Sequence, residues 1–151
     1  MMKLAQRDDA IARGINLIEW TFDPLQLRNA HFNLLRLGAV ARRYIPNLYG
    51  RTSSPLHGGL PTDRLVAEWW IQSTRVADIL SGKGVAGASN RVRVSLPSTI
   101  REICDADVQK AERIQKRVRE EFERQFAEGR SAVGFEFDEK QSSYILEPYE
   151  D

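Results

Sequence analysis

The chain has 151 residues, 42% of them hydrophobic, which is enough for one domain with a real core and a small extension. Lys and Arg number 22 against 21 Asp and Glu, a formal net charge of +1, so composition gives no reason to expect a nucleic acid or an anionic membrane as partner. Cys104 is the single cysteine, which excludes an intrachain disulfide and any metal site built on paired cysteines, and no metal is expected. Its amphipathic setting in Ile103-Cys104-Asp105 reads as a buried structural thiol, and the cysteine usage fits a reducing cytoplasm. Met1 to Arg13 carries Asp8 and Asp9 and lacks the apolar run of a secretory signal, so a soluble, cytoplasmic protein is expected.

Lys3 to Arg13 reads as a helix with Leu4 and Ile11 on one face and Gly14 as its stop. Ile15 to Phe22 is rich in β-branched and aromatic residues and nearly continuous in apolar character, which predicts a strand covered on both faces. Asp23 and Pro24 suit the N-cap and first turn of a helix from Leu25 to Leu37, whose apolar stripe is Leu27, Ala30, Leu34 and Leu37. Gly38 ends it, and Ala39 to Ile45 reads as a second strand. Short connections between these alternating elements predict an α/β (or α+β) fold, a mixed sheet with flanking helices.

Pro46 to Thr62 holds three prolines and three glycines and reads as a long functional or mobile loop. Asp63 to Ile71 follows as a third strand, with Leu65, Ala67 and Trp69 alternating against Val66, Glu68 and Trp70. One of the two adjacent tryptophans is then core, and the other is a candidate pocket wall. Ser73 to Leu80 fits a short helix. Residues 82–90 (GKGVAGASN) read as a flexible linker, dividing the chain into residues 1–81 and an extension over 91–151.

In that extension Val92, Val94 and Leu96 mark a half-buried strand. Val108, Ala111, Ile114, Val118, Phe122 and Phe126 form one stripe of a long helix, with Glu112–Lys116 and Glu120–Arg124 pairs on its wet side. Gly129 is its C-cap candidate. Val133, Phe135 and Phe137 then alternate, and Tyr144 to Leu146 returns as a hairpin partner across Glu139 to Ser142.

No nucleophile elbow, phosphate-binding Walker loop or zinc-protease motif is present. His31 sits beside a helix stripe and reads as a surface or packing residue, whereas His57 lies in the long loop. The concentrated signal is Trp20-Thr21-Phe22-Asp23-Pro24-Leu25, Arg28-Asn29-Ala30-His31-Phe32-Asn33 and Leu37-Gly38-Ala39. It continues through Asn47-Leu48-Tyr49-Gly50, Gly59-Leu60-Pro61-Thr62-Asp63-Arg64-Leu65 and Glu68-Trp69-Trp70. Over Lys3 to Ile71 this run resembles the second half of the GNAT acyltransferase fold, in a bacterial branch that carries a C-terminal extension. In that fold a strand leads into a helix with an Asn-and-Ala pattern, and the helix ends at a Gly before an antiparallel pair of strands.

The resemblance implies an acyl-CoA-dependent N-acyltransferase using acetyl-CoA or another acyl-CoA as cosubstrate. The acceptor would be an amine that attacks the thioester directly. The strand from Leu17 to Phe22 would bond the pantetheine amides through its free backbone groups, like an added strand. Trp20, Thr21, Arg28 and Asn29 are the implied cofactor-binding residues, with Arg28 suited to a phosphate. Many members carry a proton-donating Tyr where this chain has Leu34, which leaves Tyr44, Tyr49 and His57 as the candidate catalytic residues. The family's pyrophosphate loop precedes the helix that starts here at Lys3, so weak catalysis is expected of this chain alone. A start placed too late or a truncation is the expected reason for the bare strand edge, and a homodimer or a partner chain completing the sheet is the third reading. A non-catalytic GNAT-like binding or interaction protein, or a truncated relic, is the alternative.

Overall fold

The computed structural model describes residues 2–48, 60–83 and 90–149. The fold is α+β: a six-stranded sheet flanked, among the described residues, by five α-helices. In chain order these are α1 (Met2–Ala12), β1 (Leu17–Phe22), α2 (Leu27–His31), β2 (Val40–Ile45), β3 (Arg64–Trp70), α3 (Thr74–Leu80), β4 (Val92–Pro97), α4 (Ile100–Ala106), α5 (Val108–Ala127), β5 (Arg130–Glu136) and β6 (Gln141–Pro148). The strand order is β1-β3-β2-β5-β6-β4 and every pairing is antiparallel, so the sheet is not mixed in strand direction.

Two three-stranded parts meet at the centre. In one, every residue of β1 from Leu17 to Phe22 has a partner on β3, and β3 pairs with β2 across a bulge between Ala41 and Tyr44. In the other, β6 is flanked by β4 and β5. The two parts join where Ala41 of β2 lies opposite Ala132 of β5. β3 is buried on both faces from Leu65 to Trp69, as befits a strand with neighbours on each side. Leu34, Leu65, Trp69, Leu96, Phe122 and Leu146 are all fully buried, and each such side chain contributes about 2 kcal/mol of transfer free energy.

Five sequence expectations are corrected. β1 is not covered on both faces: Phe22 is buried, but Glu19 and Thr21 are exposed, because the apolar run conceals a simple alternation. The helix predicted from Leu25 begins only at Leu27. Asp23 does not cap it. Its carboxylate instead accepts from the Leu25 N–H at 2.9 Å, holding Asp23 to Gln26 in a turn that buries Pro24.

The same helix is not α-helical to its end. Phe32–Arg36 form a π-helical turn, closed by the Leu37 N–H donating to the Phe32 carbonyl at 3.0 Å. Finally, Phe137 does not continue the alternation of Val133 and Phe135: Phe135 is buried and Phe137 is 52% exposed. A bulge between Ala132 and Gly134 makes Val133 the extra residue and shifts the alternation, so β5 ends at Glu136 with Phe137 beyond it.

The helix α4 was not anticipated. It places Cys104 against the core, only half-buried, and burial raises the thiol's pKa, with Asp23 and Asp105 adding to the effect. A thiol held neutral in this way is a poor nucleophile. Among the described residues no helix is long and apolar enough to cross a membrane.

Candidate functional site

β1 is an edge strand, and one hydrogen bond fixes which of its backbone groups face outward. The Ile71 N–H donates to the Asn16 carbonyl at 3.0 Å, in the same register that pairs Leu17 with Trp70. In an antiparallel ladder the bonded pairs alternate. Asn16, Ile18, Trp20 and Phe22 therefore bond toward β3. Leu17, Glu19 and Thr21 point their N–H and C=O groups away from it, and among the described residues no strand pairs with them.

The side chains along β1 divide by face. Trp20 lies on the core side, its ring edge-on to Trp69 at 6.0 Å and its face covered by the Lys3 ammonium 3.7 Å from the ring centroid. That sandwich fixes the rotamer of Trp20 and ties α1 to the sheet. Thr21 is exposed on the opposite side, as is Glu19, which is ion-paired to Arg43. Beside it Glu68, 5% exposed, accepts from Arg42 at 2.8 and 3.0 Å and from the Trp70 indole at 3.2 Å. The outer side of β1, β3 and β2 thus carries two facing carboxylates, Glu19 and Glu68, paired with Arg42 and Arg43 of β2.

At the start of β1 a cavity of about 600 Å³ opens between Asn16, Trp70, Gln72, Thr74 and Tyr149. Trp70 is therefore the pocket-lining member of its pair, and Trp69 is the core member, with its indole N–H on the Leu37 carbonyl at 2.7 Å. Arg75 forms the inner wall of this cavity. Its guanidinium donates to the carbonyls of Gly38 at 3.1 Å, Leu34 at 3.3 Å and Val133. One side chain thus ties the end of the π turn to β5, an arrangement with no local sequence signal.

The expected cofactor residues are not gathered in one cavity. Trp20 and Thr21 share β1 but face opposite ways. Arg28 and Asn29 are exposed on α2. Arg28 lines a second groove, of about 540 Å³, near the turn after β1, and Asn29 is not among that groove's lining residues. Tyr44 lies on β2, two strands from the open edge. Its hydroxyl donates to Asp63 at 2.5 Å, and its ring stacks on Phe122 at 5.7 Å. Burial, then the Asp63 carboxylate, pushes the Tyr44 phenol far above its ordinary value, so it holds its proton. Tyr49 and His57 lie outside the described residues. His31 packs its ring against Phe137 at 5.1 Å.

Asp63 organises a heavily bonded polar cluster in the interior. It is 1% exposed and accepts from Arg119 at 2.8 and 3.3 Å, from Tyr44, and from the Asn47 N–H at 2.9 Å. Among the described residues no group of three or more His, Cys, Asp or Glu is placed to hold a metal. The chain matches no protein-family model, no curated protein and no solved structure.

Proposed function

We propose that the chain binds an acyl-CoA, with acetyl-CoA as the donor, along the open edge of β1 and belongs to an N-acyltransferase of the GNAT type. One observation carries the reading. The outward N–H and C=O groups of Leu17, Glu19 and Thr21 form a ready ladder for the amides of a pantetheine chain. The order of elements supports it: an edge strand, a helix with Asn29 and Ala30, a Gly38 at positive φ, and then the antiparallel strands β2 and β3. In this reading an amine attacks the thioester carbonyl, the carbon–sulfur bond breaks, and the amine's proton leaves to a base as the thiolate is protonated.

Titration calorimetry with acetyl-CoA tests the proposal through Thr21→Pro. Proline removes an N–H that β3 does not use, and edge strands tolerate it. Saturable binding that this substitution weakens about tenfold, the value of one lost backbone bond, supports the reading. No saturable binding to the folded chain sinks it. Binding without acyl transfer to any of a panel of amines would favour a non-catalytic GNAT-like binding protein, for which the engagement of Tyr44 by Asp63 is the supporting observation.

A further inference from the structure

We infer that the groove between α2 and α4 binds a small organic oxyanion carrying an aromatic or apolar body. The groove encloses about 540 Å³, and its apolar surface comes mainly from Leu27 and Phe137, with Leu25 and Ile100 buried at its base. Arg28 and Arg101 line it from the two helices, and among the described residues neither guanidinium has a carboxylate or carbonyl partner. Arg42, Arg75, Arg93, Arg117, Arg119 and Arg130 are all engaged, and of the other arginines without such a partner among the described residues, Arg36, Arg113 and Arg124, none lines the groove. Glu102 also lines the groove, leaving its three ionised side chains with a net positive charge. A pair of unengaged guanidinium groups at an apolar cleft matches the planar oxygens of a carboxylate or a phosphate monoester.

Phe137 supplies the second half of the argument. It lines the groove and is 52% exposed, yet it is held in place from two sides, by the His31 ring at 5.1 Å and by an edge-to-face contact with Phe135 at 5.1 Å. A large aromatic that is exposed but already ordered offers a stacking surface at little entropic cost. Arg101 and Phe137 belong to the segment after the linker, and the groove residues other than Arg28 play no part in the acyl-CoA reading. Because Arg28 is shared with that reading, the test rests on Arg101 and Phe137, which the acyl-CoA reading does not use.

The experiment titrates the full chain with phenyl phosphate, benzoate and inorganic phosphate, followed by calorimetry or by NMR shifts. Expected is saturable binding of one or both aromatic anions, tighter than inorganic phosphate, and the stronger of the two names the head group. Arg101→Gln should weaken it about tenfold, the value of a lost charge-assisted hydrogen bond. Phe137→Ala should bring the aromatic anion down to the level of inorganic phosphate. Both positions are exposed, and an unchanged melting curve verifies that each variant folds. Absence of saturable binding by either aromatic anion overturns the inference, as does binding that Arg101→Gln and Phe137→Ala leave unchanged.

Discussion

The hydroxyl of Tyr144, on the last strand, donates to the backbone carbonyl of Pro24 at 2.6 Å, joining positions 120 residues apart. Tyr144 is fully buried, with its ring edge-on to Phe122 at 4.9 Å and to Phe135 at 5.0 Å. Tyr144→Phe keeps the ring and strands the Pro24 carbonyl inside the protein. The expected loss is about 1–2 kcal/mol in urea unfolding, with the slope of the transition unchanged.

Alkaline unfolding should follow from the same residue together with Tyr44. Burial raises both phenols above the ordinary value of 10, and nearby carboxylates add to the effect. The folded state therefore binds these protons more tightly than the unfolded chain. Their stabilisation is fully present below pH 10 and is lost progressively as pH rises above it. Tyrosinate absorbance from these two residues should appear together with the loss of circular dichroism, not before it. Early ionisation of all tyrosines in a folded chain would contradict this.

Asp63→Asn should be among the most damaging single substitutions. It leaves Arg119 without its carboxylate, and an amide cannot accept from Arg119, Tyr44 and Asn47 together. Removing one partner of such a pair costs about 3–5 kcal/mol, a large share of a typical domain's stability. Thermal unfolding should show a fall in Tm well beyond that of Tyr44→Phe, which deletes one hydrogen bond and is expected to cost about 1 kcal/mol.

Gly38→Ala tests the join between the π turn and β2. Gly38 has φ +81, and a Cβ there would meet the Ile79 Cδ1 at 3.2 Å and the Val76 Cα at 3.4 Å. Backbone strain and crowding together should cost about 1–3 kcal/mol. Gly14→Ala is the control: its φ is +77 but nothing lies within 4 Å of the added carbon, so only the strain remains and the loss should be smaller.

The strands and the long helix were legible because their periods are local. Leu65, Ala67 and Trp69 mark β3, and the stripe from Val108 to Phe126 marks α5. What stayed hidden depends on distant partners. The register slip that exposes Phe137 is a property of the β5–β6 pair, not of either strand's alternation. The helix α4 spans two turns with a single fully buried side chain, Ile100, too little to show as a stripe. Asp63, Glu68 and Arg75 carry no local sign of burial, and Arg119, Arg42 and the Gly38 carbonyl, which hold them inward, lie 56, 26 and 37 positions away. Of the site, the split of Trp69 and Trp70 between core and pocket wall was readable from strand alternation, but which of them takes which side was not. The groove formed by Arg28, Arg101 and Phe137 was not, since its sides come from three separate segments.

The narrow junction between β2 and β5 bears on how the molecule comes apart. Backbone bonds hold each three-stranded part along its length, whereas side chains carry most of the connection between the parts: Tyr144 on Pro24, Arg119 on Asp63, Arg75 on Val133 and Tyr44 on Phe122. Amide protons within β1–β3 and within β4–β6 should therefore exchange as two separate blocks, each opening as a unit. A chain cut between Lys83 and Asn90 would give two fragments able to recombine, and their affinity for one another would be set by those side chains and the apolar core they share rather than by a continuous ladder.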